Sequence, residues 1–292
     1  MLSRRTIMTG AAAAAVVPGL ARAQTPVRVP VTFSPAGTPF VSVVINGQGP
    51  YRFIVDTGAD SHAIRDSLVA PLKLRFLTGT RYSGIGGTDA SGFYTADDVV
   101  FGGALRQTKV LLQALPHLAP VDGLLSAGFL TDFPSELDYG AAEIRLYPAG
   151  RPDLSLYSPI PSAIETHDRR LSPRLLCDLS LDGVRLRALV DTGSEAELML
   201  TPRVVGPHDL WDKYPQFRRA ISEGVTGDRV AVRIVTMPDL RIGTIRVPSV
   251  KVSLLDPQSP SAGYDAILGS RFLRHFSLAV NAGTIALRPI TP

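Results

Sequence analysis

The tetrapeptide Val-Asp-Thr-Gly occurs twice in this 292-residue chain, at residues 55–58 and 190–193. Each copy follows an apolar run with β-branched residues, PYRFI in the first case and VRLRAL in the second. Such runs are typical of buried strands. The glycine allows a sharp turn where a side chain would clash. The chain is therefore predicted to present a carboxylate, Asp56 or Asp191, at the end of a buried strand in each of two loops.

The two motifs belong to a longer internal repeat. Each is preceded by two apolar runs joined by a hairpin signal, Asn46-Gly47 or Asp182-Gly183. A second shared element follows, VDGLLSAGF from residue 121 and YDAILGSRF from residue 264. This order predicts an N-terminal lobe over 24–148 and a C-terminal lobe over 172–292. The segment 149–171 is predicted to be an exposed linker that carries no chemistry.

Composition favours β-structure. Gly and Pro together account for 50 of the 292 residues, since there are 26 of one and 24 of the other. Short Val-, Ile- and Leu-rich runs lie between these turn formers. The best helical candidate, residues 202–224, is expected to break into short pieces at Pro207 and Pro215. Cys177 is the single cysteine, so no internal disulfide can form, and it is expected to be a core residue.

The first 23 residues are predicted to be an export signal. They combine a charged start, an apolar middle and the small-residue cleavage site Ala21-Arg22-Ala23. The pair Arg4-Arg5 favours the twin-arginine route and therefore a periplasmic or secreted protein. The apolar stretch of about 13 residues is shorter than the roughly 20 that span a membrane, so no stable anchor is expected. Removing the signal takes away three arginines and no acid, which lowers the formal charge from +4 to +1 and gives no case for nucleic acid binding.

Two such loops packed back to back would bring Asp56 and Asp191 together. Like charges at that distance cannot both ionise, so the two carboxyls would share one proton. One group could then accept a proton from a water molecule while the other polarised a carbonyl. The duplicated motif thus predicts hydrolysis by general acid–base catalysis.

The quoted motifs resemble those of the aspartic proteases of the pepsin and retropepsin superfamily. VDTGAD and VDTGSE are similar to their catalytic loops, DAILGSRFL to the element beneath each loop, and YSGIGGTDASG to the glycine-rich hairpin flap. The resemblance implies an all-β, bilobal, pepsin-like fold with Asp56 and Asp191 as the catalytic pair. It also implies an extended polypeptide substrate, no cofactor and no metal, and a monomer, because one chain supplies both acids.

The resemblance assigns further residues to the site. Loop support is expected from Thr57, Gly58, Thr192, Gly193 and Ser194, and the flap is expected at Tyr82, Gly84, Ile85, Gly86 and Gly87. The Ser194 hydroxyl is expected to bond to the outer carboxylate, which Ala59 in the first loop cannot do. Tyr82 and Tyr94 could equally be ordinary cross-strand aromatics.

Several positions depart from the family pattern or leave alternatives open. Ser126 stands where a glycine is expected, which predicts weaker support for the first loop. A single flap is expected, since SEGVTGDRV at 222–230 is only a candidate for a second one. Asp60 and Glu195 are either solvated charges or partners of an arginine such as Arg271. Asp122 and Asp265, matched in the repeat, are expected to bond to backbone near their own turns.

The predicted function is that of an aspartic-type endopeptidase. The alternative is a catalytically inactive peptide-binding or scaffold protein on the same fold. The five histidines show no metal-ligand spacing, and we expect no cofactor.

Overall fold

The computed structural model describes residues 25–84, 87–118, 120–167, 170–214, 216–260 and 263–290. The predicted signal segment 1–23 lies outside these ranges, as do Ile85 and Gly86 of the predicted flap. The described residues form strands joined by turns, with helices of a single turn. None of the helices in these ranges has the length and apolar character needed to cross a membrane.

The first half contains β1 (Val27–Pro30), β2 (Thr32–Phe33), β3 (Pro39–Ile45), β4 (Gln48–Val55), β5 (Ala63–Arg65), a 3-10 turn (Asp66–Leu68), β6 (Arg75–Gly84), β7 (Gly87–Phe101), β8 (Leu105–Leu115), β9 (Gly123–Leu125), α1 (Gly128–Thr131), β10 (Ser135–Asp138) and β11 (Glu143–Leu146). The remainder contains β12 (Ser158–Ile160), β13 (Ser162–Glu165), β14 (Arg174–Leu181), β15 (Val184–Asp191), β16 (Leu198–Leu200), α2 (Pro202–Val205), α3 (Leu210–Lys213), β17 (Arg218–Glu223), β18 (Arg229–Ile242), β19 (Ile245–Leu255), β20 (Ala266–Gly269), α4 (Ser270–Leu273), β21 (Phe276–Asn281) and β22 (Thr284–Pro289).

Each half closes into a six-stranded barrel with the same strand order. The first barrel runs β3-β4-β9-β5-β8-β7 and closes where β7 pairs with β3. The second runs β14-β15-β20-β16-β19-β18 and closes where β18 pairs with β14. Buried aliphatic side chains such as Val43 and Leu179 fill the interiors. The predicted all-β, bilobal fold is confirmed.

A third sheet joins the two halves in the order β1-β11-β10-β21-β22-β12. Its central pair is β10 and β21, which run antiparallel with Leu137 opposite Leu278. β12 belongs to the segment that was expected to be exposed, yet Tyr157 and Ile160 are buried. That expectation is wrong at these positions, because β12 pairs with β22 and its apolar side chains join the core.

Buried charges reinforce this joining sheet. Glu136 and Asp138 are each only 5% exposed. The Arg145 guanidinium contacts Glu136 at 3.3 Å, Asp138 at 2.9 Å and Glu143 at 2.6 Å. Arg288 adds a second contact to Asp138 at 3.1 Å. Because buried carboxylates are tolerated only when paired, Arg145 satisfies the acids within the first half, and Arg288 adds an ion pair between the two halves.

Two minor predictions also hold, one of them in part. The helical candidate at 202–224 is broken into the one-turn helices α2 and α3, whereas its last residues form the strand β17, so the helical expectation is wrong for that part. Cys177 is a free, buried residue of β14. Burial raises the pKa of its thiol to about 12, which keeps the thiol protonated and makes it a core residue.

Candidate active site

The second element of the repeat supports the first. β4 lies parallel to β9, with Val55 beside Leu125, and β15 lies parallel to β20, with Asp191 beside Gly269. The Asp56 amide donates to the Leu125 carbonyl at 2.7 Å. Each acid therefore sits at the end of an inner barrel strand whose position is fixed by hydrogen bonds.

The two loops are locked together by their threonines. The Thr57 hydroxyl donates to the Val190 carbonyl at 2.6 Å, and the Thr192 hydroxyl donates to the Val55 carbonyl. The Thr57 amide donates to the Thr192 hydroxyl at 3.1 Å, and the Thr192 amide donates to the Thr57 hydroxyl at 3.0 Å. Both threonines are at most 1% exposed. These reciprocal bonds fix the distance between the two acids.

The glycines allow the acids to meet. A Cβ atom added at Gly58 would lie 2.6 Å from the Asp191 Cγ atom, and one added at Gly193 would lie 2.5 Å from the Asp56 Cγ atom. Each carboxyl group therefore lies against the glycine of the opposite loop. Both acids are half-buried, and they lie close enough for each to shift the pKa of the other.

The two carboxyls have different surroundings. Burial, followed by the neighbouring charge of Asp191, raises the pKa of Asp56 well above its usual range. Burial also raises the pKa of Asp191, but hydrogen bonds from Asp56 and from the amides of Gly193 and Ser194 oppose that rise. Asp191 Oδ1 accepts from these amides at 2.9 and 3.1 Å. Asp56 Oδ1 also accepts from the Gly58 amide at 2.9 Å, so each acid is bonded to its own loop and the two carboxyls form one coupled pair that shares a proton.

Ser194 supports the site differently from the prediction. Its backbone amide, rather than its hydroxyl, bonds to Asp191. The hydroxyl instead accepts from the Ala196 amide at 3.5 Å. The expectation of a hydroxyl bond to the carboxylate is wrong, because the tight turn after Asp191 already directs the amide at that oxygen.

Two hairpins, not one, reach over the acids. β6 and β7 form the predicted flap, which includes Tyr82, Gly84 and Gly87. β17 and β18 form a second hairpin at the corresponding place in the other barrel, with the turn at 224–228. The tips touch, since a Cβ atom at Gly84 would lie 3.0 Å from a methyl carbon of Val225. The expectation of a single flap is wrong, because the duplicated strand order places a hairpin in each half.

Apolar clusters flank the acids on both sides. The lobe-one wall consists of Phe40, Ala63, Tyr82, Leu115, Leu118, Val121 and Leu124, with Ala59 and Val225 packed against it. The lobe-two wall consists of Met199, Val230, Val232, Leu255 and Ile267, with Ala196 and Tyr264 packed against it. Tyr82 thus packs in the lobe-one wall. Tyr94 lies opposite Phe76 on the neighbouring strand, with the two ring centroids 5.5 Å apart in an edge-to-face arrangement, and is an ordinary cross-strand aromatic.

The charged residues after each motif have arginine partners. Glu195 lies 3.7 Å from Arg271, and Asp60 lies 3.3 Å from Arg170 and 3.6 Å from Arg174. Of the two alternatives, the ion pair with an arginine therefore describes both Asp60 and Glu195.

The acids of the second repeated element brace the strand that leads to each catalytic loop. Asp122 accepts from the Arg52 amide at 2.8 Å, and Asp265 accepts from the Arg187 amide at 3.0 Å. Each also pairs with an arginine side chain, Arg65 or Arg203. The expectation of bonds near their own turns is therefore incomplete.

Two residues near the acids had no assigned role in the sequence. Tyr264 packs against the lobe-two wall, and burial, followed by the charge of Asp191, raises its pKa to about 12. The only sequence signal for Tyr264 is its position directly before Asp265. His62 bonds to Ser126 beneath the first loop. Neither contact could be read from local sequence, since each depends on the packing of elements distant in the chain.

Comparisons with known proteins agree with this geometry. A family model described as aspartyl protease matches residues 41–129 and 177–272, which include both motifs. The solved structure of an aspartic proteinase from Irpex lacteus is similar in fold, with a TM-score of 0.52 at 15% identity over 90% of this chain and 97% of that one. The solved structure of Basic 7S globulin from soybean has a TM-score of 0.50 at 8% identity, over 90% of this chain and 96% of that one.

A third solved structure is a retropepsin-like aspartic protease from Rickettsia conorii. Its alignment covers 92% of that chain and 45% of this one, at 15% identity and a TM-score of 0.31. A search of proteins with curated descriptions found no match.

Proposed function

The chain belongs to the aspartyl protease family, and on that premise we propose that it is an aspartic endopeptidase whose Asp56 and Asp191 jointly activate a water molecule. The observation that carries the proposal is the meeting of the two carboxyls at the junction of the loops, where each lies only 2.5–2.6 Å from the place that a Cβ atom of the opposite loop's glycine would take. Such a pair supplies an acid and a base at the same pH.

Each carboxyl takes one role in the proposed mechanism. Asp191, whose charge is stabilised by the Gly193 and Ser194 amides, accepts a proton from the bound water. Asp56, which carries the shared proton, donates a hydrogen bond to the peptide carbonyl and makes its carbon easier to attack. The proton on Asp191 then passes to the departing amine, and the pair returns to its starting state.

The surroundings support an extended peptide as substrate. Such a chain can lie between the acids and the two hairpins and pair with their edges as an added strand. The partly buried residues at the edge of the two walls, Ala59 and Val225 on one side and Ala196 and Tyr264 on the other, are apolar or aromatic. We therefore expect apolar residues on both sides of the cleaved bond. Since one chain supplies both acids, the proposed active form is a monomer, and its proposed location is the periplasm or the exterior.

The test is cleavage of a diverse peptide library by the purified protein at acidic and neutral pH, with and without a pepstatin-type inhibitor. Asp56→Asn and Asp191→Asn preserve shape and remove one ionisable group each, and Asp97→Asn, at an exposed position of β7, is the matched control. We expect cleavage by the wild type and the control, a loss of about 1000-fold or more in both active-site variants, and inhibition by the pepstatin-type compound. Peptide binding by a folded wild type without any turnover would instead support a non-catalytic binding protein.

A further inference from the structure

The two catalytic loops differ in length. Ala63 pairs with Leu124 in the first half, and Met199 pairs with Ile267 in the second. Leu124 and Ile267 occupy the same position in the repeat, two residues after Asp122 and Asp265. Counting back to the acids gives seven residues from Asp56 and eight from Asp191. The first loop is therefore one residue shorter.

Backbone contacts close the longer, second loop. The Gly269 amide donates to the Glu197 carbonyl at 3.2 Å, and the Ser270 amide donates to the Ser194 carbonyl at 2.7 Å. A Cβ atom at Gly269 would lie 2.3 Å from the Ala196 carbonyl oxygen. Only glycine permits this close approach, so the second loop rests directly on the peptide backbone of β20.

The first loop is closed by a side chain instead. Ser126 replaces the glycine, and its amide donates to His62 Nδ1 at 3.0 Å, while its hydroxyl lies 3.2 Å from the same nitrogen. The Leu125 carbonyl, which accepts from the Asp56 amide at 2.7 Å, belongs to the same peptide group as the Ser126 amide. One peptide group thus holds both ends of the loop, and each of its hydrogen bonds polarises the other.

We propose that His62 is a positioning residue for Asp56, because its Nδ1 atom takes the place of the backbone oxygen that closes the second loop. The inference rests on the proposed function. Nδ1 must accept a hydrogen bond, so the role requires a neutral ring with its proton on Nε2. Protonation of the ring would leave the Ser126 amide without its acceptor and would release the far end of the loop.

The surroundings keep the ring neutral over most of the pH range. His62 lines a cavity of about 560 Å³, and among the residues that the structure describes its charged lining is Arg106 and Lys109 of β8 and Asp132 after α1. Burial lowers the pKa of His62 to about 4. Burial also raises the pKa of Asp132, which reduces its negative charge in acid. The loop is therefore closed above about pH 4 and opens below it.

Two substitutions distinguish the loss of the hydrogen-bond acceptor at His62 from the effect of charging its ring. His62→Asn places an oxygen near the position of Nδ1 and does not titrate. His62→Leu introduces the residue found at position 198 of the second half and removes the acceptor. His208→Asn, at an exposed position, is the matched control. The measurement is kcat and KM for a cleaved peptide from about pH 3 to 7, with circular dichroism to verify folding.

We expect His62→Leu to lower kcat about 10- to 100-fold at every pH with little change in KM, because a small displacement of a catalytic group is costly. His62→Asn should keep the wild-type kcat at neutral pH and retain activity below pH 4, where the wild type declines. The inference would be overturned if folded His62→Leu kept the wild-type kcat. It would also be overturned if kcat of His62→Asn and of the wild type declined in the same way below about pH 4. If His62→Leu does not fold, the His62→Asn profile decides.

A second readout is independent of activity. The ¹⁵N NMR shift of the Ser126 amide should follow protonation of His62 in the wild type and remain flat over that range in His62→Asn. If the amide titrates in this way but no peptide is cleaved, the proposed function fails while the contact is supported. If peptides are cleaved but the Ser126 amide does not respond, the positioning role fails on its own.

Discussion

Replacing Gly58 by alanine tests whether the two carboxyls need their close approach. The added Cβ atom would lie 2.6 Å from both Cγ and Oδ2 of Asp191, whereas ordinary contact begins at 3.4 Å. The carboxylate or the loop must therefore move by about 0.8 Å. Since a displacement of about 1 Å at a reacting group costs about 100-fold in rate, kcat/KM should fall about 30- to 100-fold, equivalent to roughly 2–3 kcal/mol.

The assay is kcat/KM of purified Gly58→Ala on a peptide that the wild type cleaves, with thermal unfolding measured in parallel. Gly79→Ala is the control, because a Cβ atom there would have no neighbour within 4 Å. The control should match the wild type. A folded Gly58→Ala variant whose kcat/KM stays within about threefold of wild type would refute the reasoning, because the carboxyls would then tolerate separation.

Three further predictions concern stability. Thr192→Val removes the donor to the Val55 carbonyl and the acceptor of the Thr57 amide. Denaturant titration should show that the free energy of unfolding falls by about 2–4 kcal/mol. An unchanged free energy would mean that the threonines do not lock the loops. Arg145→Met leaves Glu136 and Asp138 short of a partner, so unfolding free energy should fall by about 3–5 kcal/mol, and a fall below about 1 kcal/mol would contradict a structural role for the network. The pKa of His62 is lowered from 6.5 to about 4, so between these values the unfolded chain binds more protons than the folded one. The free energy of unfolding should therefore fall by about 3 kcal/mol as the pH drops through this window. Urea titrations should show a smaller pH dependence in His62→Asn, and an equal pH dependence would count against the prediction.

The acids, the threonines and the barrel strands could be predicted because their signals are local and repeated. An Asp-Thr-Gly after an apolar run describes a strand, a turn and a carboxylate within a few residues. Its second occurrence at a corresponding place supplies the partner. The bilobal fold follows from the same duplication, since each copy forms its own barrel and one strand from each half, β10 and β21, pair in the joining sheet.

The remaining features depend on contacts between distant elements. The second hairpin turns at residues 224–228, whose sequence GVTGD contains two glycines, and its place in the second barrel is fixed by strand pairing. Tyr157 and Ile160 lie in a proline-containing segment, and their burial depends on pairing of β12 with β22. His62 contacts Ser126 across the first loop, which the strand register shows to be one residue shorter than the second.

The central claim is that Asp56 and Asp191 hold one proton between them. The most direct measurement is a ¹³C NMR titration of aspartate carboxyls in the wild type, Asp56→Asn and Asp191→Asn. We expect the wild type to retain one carboxyl proton at a pH where the exposed aspartates are ionised. Its release should move the signals of both residues, and this coupled step should disappear in either variant. Independent titration of Asp56 and Asp191, each near the ordinary aspartate value of about 3.9, would contradict the account.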